Sequence, residues 1–200
     1  MGKLAYGVGV SDVGEFRQSN RVGGKSIATK EYQLWRDMLK RCYSEHFQQK
    51  RPTYIGCTVS ENFKNFQWFA EWCQSQTGFG LEGYHLDKDI LVRNNKVYSE
   101  AVCVFVPQCI NSLLIKSNAV RGEFPIGVSW YNRDQNYRAS CNEGSGKLKH
   151  LGYFFTPELA FNAYKTYKES LIKRLAVQHK DVLDSRVYGA LMQYEVLITD

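Results

Sequence analysis

Residues 84–114 read YHLDKDILVRNNKVYSEAVCVFVPQCINSLL. The order predicts a strand, an Asn94-Asn95 turn, a second strand and a short helix after Pro107, that is, a β-hairpin followed by a helix. Side chains alternate across a strand, so His85, Asp87 and Asp89 are expected on one face and Leu86, Lys88 and Ile90 on the other. Two carboxylates and an imidazole at period two form a donor set for a hard cation such as Mg²⁺, or let the imidazole act as a base beside a metal-bound phosphate. The competing reading is a solvated strand face whose acids pair with Lys or Arg.

Upstream, Tyr32, Trp35, Met38, Leu39, Cys42 and Tyr43 recur at spacings of three and four, predicting an amphipathic helix that ends before Arg51-Pro52. A second helix is expected from Ser60 as N-cap, with Phe63, Phe66, Phe69, Ala70 and Cys73 as its core stripe and Gly78 and Gly80 closing it. The first 27 residues are Gly-rich and polar; the alternation of Tyr6, Val8 and Val10 fits an edge strand and no helix. Downstream, the polar stretch 116–122 reads as a linker. Three strands follow at about 126–131, 136–142 and 147–155, separated by Asn132-Arg133-Asp134 and Glu143-Gly144-Ser145-Gly146. Thr156 then caps a helix with Pro157 at its first position and Leu159, Ala160, Ala163, Tyr164, Tyr167, Leu171 and Leu175 on its buried stripe. That helix is the expected cover for one face of the three strands. Helical spacing returns over 182–196 through Leu183, Val187, Leu191 and Tyr194.

The chain has 200 residues, 44% hydrophobic and 14% aromatic, with only 4 Pro, which sets it apart from disordered polymers. No apolar run approaches the roughly 18 residues that span a bilayer, and the opening residues lack a signal-peptide core, so a non-membrane, cytoplasmic protein is expected. The six cysteines (42, 57, 73, 103, 109 and 141) form no CxxC pair and read as reduced, buried small hydrophobes rather than zinc ligands. Neither a Walker loop nor a dinucleotide fingerprint is present, since GVGVSDVG (7–14) lacks the GxGxxG spacing; no nucleotide cofactor is expected. The net charge of +6 is uneven: residues 1–60 carry 10 Lys and Arg against 5 acids and residues 119–176 carry 9 against 5, while 61–118 carry 5 against 6. Two basic blocks around a near-neutral middle suit a nucleic-acid binder with a separate chemical centre.

LDKDIL (86–91), Asn94-Asn95, Tyr98-Ser99 and CVFVPQCIN (103–111) resemble the phage HNH endonucleases of the β-β-α-metal fold. YQLWRDMLKRCYSEHF (32–47) and KRPTYIGCTV (50–59) are similar to the leader of the same proteins. The resemblance implies a metal, Mg²⁺ or Mn²⁺, held by Asp87 of the strand and Asn111 of the helix, and metal-dependent nicking of DNA as in free-standing homing endonucleases. The family's general-base histidine falls on Lys88, and a protonated lysine cannot take the proton of water. His85 or Asp89 would then assist, or the module is catalytically degenerate and binds without cutting. In that case Lys88 becomes a phosphate contact and the protein acts as a regulator or on a host protein partner.

IGVSWYNRDQNYRASCNEGSGKLKHLGYFFTPELAFNAYKTYKE (126–169) resembles the Apetala-type DNA-binding domain, a three-stranded sheet on one helix whose sheet enters the major groove. Tyr137, Ala139 and Cys141 are expected to face the helix while Arg138, Ser140 and Asn142 face outward. The outward face, with Trp130, Arg133, Arg138, Lys147, Lys149 and His150, is the expected surface for double-stranded DNA. The anticipated architecture is therefore α+β: an irregular or edge-strand segment (1–27), an HNH-like module (28–118), a linker (119–123), an Apetala-type domain (124–176) and a C-terminal helix (177–200).

Overall fold

The computed structural model describes residues 4–114, 123–144, 146 and 148–200. It is mixed α+β, with six helices and small sheets, and divides into two compact units, Met1–Phe105 and Val106–Asp200. All of the expected linker except Glu123 falls outside the described residues. Among the described residues, no helix is long and apolar enough to cross a membrane.

The first unit is built on an aromatic core. Thr29, in extended conformation, opens α1 (Lys30–Tyr43): its Oγ1 accepts the Tyr32 N–H at 3.3 Å. Trp35, Met38, Leu39 and Cys42 are the buried stripe, as the spacing predicts. The single helix expected as far as Arg51 is two helices. Ser44 ends α1 by donating its N–H to the Lys40 carbonyl, and its Oγ accepts from Phe47 N to begin α2 (Glu45–Lys50). A serine that can bond the backbone locally is a break point in a helical pattern.

The next helix starts later than Ser60. Asn65 caps α3 (Phe66–Gln74), its Oδ1 accepting from Trp68 N at 3.1 Å, because the chain first makes a 3-10 turn at Asn62–Lys64. The N-terminal segment is tied in there: Val10 N donates to the Lys64 carbonyl and Phe66 N donates to the Val10 carbonyl. Trp35 Nε1 donates to the Phe63 carbonyl at 2.8 Å, so the polar edge of the central indole is satisfied. Gly9 closes over this indole, and a Cβ there would lie 2.8 Å from Trp35 Cζ2 and 2.4 Å from Leu39 Cδ1.

Between these elements the chain forms a hairpin that the alternation at 6–10 does not announce. β1 (Ser19–Val22) pairs antiparallel with β2 (Lys25–Ala28) across Gly23-Gly24, both at positive φ. β4 (Tyr84–Asp87) is the expected strand, but the hairpin across Asn94-Asn95 is not formed. β5 (Val97–Tyr98) pairs in parallel with β3 (Thr58–Val59), and the ladder neighbour of β4 is β6 (Val104–Pro107), whose first two residues close the first unit. β6 is buried throughout, which is why a run without alternation is a strand here.

The second unit follows the sequence reading closely. After α4 (Gln108–Leu113), strands β7 (Val128–Tyr131), β8 (Asn136–Asn142) and β9 (Leu148–Phe154) form an antiparallel sheet in that order. Thr156 Oγ1 accepts from Leu159 N and Pro157 occupies the first turn of α5 (Pro157–Gln178), which packs on the sheet. Ala139 and Cys141 of β8, and Ala160, Phe161, Tyr164, Leu171 and Ile172 of α5, are buried. The helical pattern expected over 182–196 is shorter: Asp184 caps α6 (Ser185–Met192), accepting from Arg186 N at 2.7 Å, and α6 packs against α5. No cysteine is bridged, and all but Cys109 are buried. Burial pushes the Cys42 and Cys103 thiols up to about 12, which keeps them as uncharged hydrophobes.

Candidate nucleic-acid interface

β4 ends at Asp87, and the alternation expected through Asp89 ends with it. Asp87 Oδ1 accepts the N–H groups of Asp89 and Ile90, each at 2.8 Å, and so turns the chain. Burial raises the Asp87 pKa; the two backbone donors pull it the other way. His85 is exposed. Asp89 does not continue its row: its Oδ1 lies 2.6 Å from Lys88 Nζ.

Lys88 is 7% exposed. Its ammonium also donates to the Asn95 carbonyl at 2.6 Å and lies 5.8 Å from the centre of the Tyr98 ring. Asn95 answers through Nδ2, which donates to the carbonyls of Lys88 and Val97. Lys88 thus locks the 88–97 loop from inside, an internal position that offers little to a phosphate. Asn111, half-buried on α4, belongs to the second unit, whereas Asp87 belongs to the first. Among the described residues, no three His, Cys, Asp or Glu side chains come together to hold a metal ion. Asp87 uses Oδ1 in the turn and Asp89 is paired with Lys88, so neither acid is wholly free for a cation.

The basic residues of α1 are also partly engaged. Arg36 lies over the Tyr6 and Tyr32 rings, Lys40 over Phe47 and Arg41 over Tyr54.

In the second unit the strand register sorts the predicted contacts by face. Opposite residues of an antiparallel pair share a face. Val128 faces Ala139, Ser129 faces Arg138, Trp130 faces Tyr137 and Tyr131 faces Asn136. Trp130 therefore lies on the helix side with Tyr137, their rings edge-on at 5.0 Å. On β9 the register slips: Gly152 faces Ala139, but His150 faces Ser140, leaving Leu151 without a partner. One extra residue reverses every side chain beyond it. His150 is moved to the outer face, and Lys149, opposite Cys141, to the helix side, where its Nζ lies 5.7 Å from the centre of the Tyr167 ring. Lys149 and Trp130 are thus separated from the outward group in which the strand pattern places them. Lys147 lies outside the described residues.

What remains outward is a connected set. Tyr131 lies between two cations, with the Arg133 guanidinium 5.6 Å and the Arg138 guanidinium 5.9 Å from its ring centre. Arg138 Nε donates to Ser129 Oγ at 3.3 Å. Tyr131 meets Tyr153 at 5.0 Å, and Tyr153 meets His150 at 4.6 Å. Arg133, in the turn, also pairs with Asp134 at 2.9 Å and stays exposed. Tyr131 and Tyr153 are absent from the sequence-level candidates. For Tyr131 the sequence signal is its period-two spacing from Ser129; for Tyr153 it is only its place opposite Arg138, which becomes visible once register is known.

No family model, no curated protein and no solved structure matches this chain.

Proposed function

We propose that this chain binds double-stranded DNA through the outer face of the β7–β9 sheet, acting by binding rather than by hydrolysis. The observation that carries the reading is the asymmetry of the sheet. One face packs on α5, with Ala139 and Cys141 fully buried, while the other presents Arg133, Arg138 and His150 interleaved with Tyr131 and Tyr153. A guanidinium held over a ring and bonded to a serine hydroxyl loses less freedom when it meets a phosphate or a guanine edge. Tyrosine hydroxyls and the serines beside them add neutral donors for the DNA backbone. Binding without hydrolysis is favoured because Lys88, at the position where the HNH resemblance would put the base, is a buried structural group, Asp87 accepts the turn N–H groups and Asp89 pairs with Lys88.

The test is fluorescence anisotropy with a random-sequence duplex at several salt concentrations. Arg138→Ala should weaken binding about tenfold and lower the slope of log affinity against log salt by about 1. Unchanged affinity and slope in Arg138→Ala would show that the sheet face is not the interface.

A further inference from the structure

The β1–β2 hairpin is a two-stranded ribbon with neither face covered. Apart from half-buried Ser19, every residue from Asn20 to Ala28 is exposed, including Val22 at 59% and Ile27 at 52%. Register gives the ribbon two sides. Ser19, Arg21, Ser26 and Ala28 share one, on which Ser26 Oγ donates to Ser19 Oγ at 2.7 Å; Asn20, Val22, Lys25 and Ile27 share the other. An isolated hairpin is marginal in water, yet this one is anchored at its base. Thr29 Oγ1 donates to the Arg17 carbonyl at 2.9 Å while accepting from Tyr32 N, so the ribbon's return strand runs straight into the cap of α1. The Gln67 side chain of α3 clamps the entering segment, accepting from Phe16 N at 2.9 Å and donating to the carbonyls of Phe16 and Asp12. The arm is thus tied down at one end and bare over the rest.

Its charge is of one sign. Residues 16–30 contain Arg17, Arg21, Lys25 and Lys30 and no Asp or Glu. Lys30, also exposed, donates to the Leu81 carbonyl and lies 5.6 Å from the Phe79 ring centre, while Arg17, Arg21 and Lys25 are exposed along and below the ribbon. Three exposed cations, two on the anchored, acid-free ribbon and one at its base, complement a polyanion. A two-stranded ribbon also has the cross-section that the major groove of B-DNA admits.

We infer that the Ser19–Ala28 ribbon is a second double-stranded DNA contact, carried by the first unit and distinct from the sheet face of the second. Arg21 and Lys25 reach the phosphates on either side of the groove, and Arg17 follows the backbone at the base. This rests on the DNA-binding reading above, and the test separates the two.

The full chain, Arg21→Ala/Lys25→Ala and Arg21→Lys/Lys25→Arg are titrated with the same random-sequence duplex over a range of salt. The alanine pair should bind about ten- to a hundredfold more weakly, with the salt slope lowered by about 2, while the charge-conserving pair keeps the slope of the unaltered chain. Thermal unfolding of all three should coincide, since these side chains are exposed. If the alanine pair binds with unchanged affinity and slope while the unaltered chain binds DNA, the ribbon inference falls, the sheet reading stands, and the ribbon's bare faces are left to a protein partner. If the charge-conserving pair binds as weakly as the alanine pair, the phosphate role is wrong. No binding by the unaltered chain removes both readings.

Discussion

The Lys88 ammonium, 2.6 Å from both the Asp89 carboxylate and the Asn95 carbonyl, fixes the loop that leads out of β4. Nothing in the spacing of Asp87, Lys88 and Asp89 says which of the three turns inward. The strand ends within the triplet, and the inward position goes to the side chain that can reach an internal carbonyl. Lys88→Ala leaves the Asn95 carbonyl without its donor and should lower folding stability by about 1–3 kcal/mol. Its DNA affinity and salt slope should match those of the unaltered chain, whereas loss of a phosphate contact would lower both. Denaturant unfolding and anisotropy on one preparation distinguish the outcomes. Asp87 offers a pH test with a defined sign. Its folded pKa is raised above 3.8 by burial, so the folded state holds the proton more tightly. Its contribution is complete below the unfolded value and is lost as pH rises through the folded one. Asp87→Asn keeps the acceptor for both N–H groups and removes the titration. Its stability relative to the unaltered chain should therefore grow as pH rises from about 4, and a difference that is flat with pH would show that Asp87 is not desolvated.

At the scale of elements, the sheet-and-helix half was legible because each boundary carries its own local chemistry. Asn132–Gln135 and Glu143–Gly146 break the strands, Thr156 caps and Pro157 starts the helix. The β9 slip had one signal, Gly152, a glycine inside the strand at φ +137° beside the slip, but a glycine does not say how the register shifts, and the faces of Lys149 and His150 depend on it. The β1–β2 hairpin had a readable signal in Gly23-Gly24, while its uniformly exposed strands lack the alternation that marks a half-buried strand. Two substitutions probe the packing of α5. Gly127 has φ +79°, and a Cβ there would lie 2.1 Å from Tyr164 Cδ2, so Gly127→Ala should cost about 2 kcal/mol or more. Lys168, buried on the helix side of the sheet at 7% exposure, has its pKa lowered by burial. A base with a depressed folded pKa contributes stability above 10.5 and loses it as pH falls through the folded value, so at neutral pH its charge is a burden. Lys168→Met should raise stability at pH 7 by about 1 kcal/mol, and the gain should shrink toward pH 10.5; a loss at pH 7 would show that the ammonium is well solvated.

Over the whole molecule, positive charge is shared between the two units: residues 1–105 hold 14 Lys and Arg against 11 acids, and residues 106–200 hold 12 against 9. Modest totals of this kind favour binding through local arrays, and each unit has one, the ribbon in the first and the outer sheet face in the second. The composition made a basic chain legible; the allotment of roles did not follow from it, because Lys88 and Lys168 carry the same charge as Arg21 and Arg138 but are buried. This bears directly on hydrolysis. A one-metal nuclease needs a carboxylate free to bind the ion, a second ligand beside it and a group able to take the proton of water. Here Asp87 spends Oδ1 on the turn and Asp89 is paired with Lys88. Supercoiled plasmid incubated with the protein and Mg²⁺ or Mn²⁺ should accordingly stay supercoiled at protein concentrations that fully shift the same DNA in a gel. Open-circle product that disappears with EDTA and with Asp87→Ala would overturn the binding-only reading. It would make His85, the exposed imidazole on β4, the first residue to substitute.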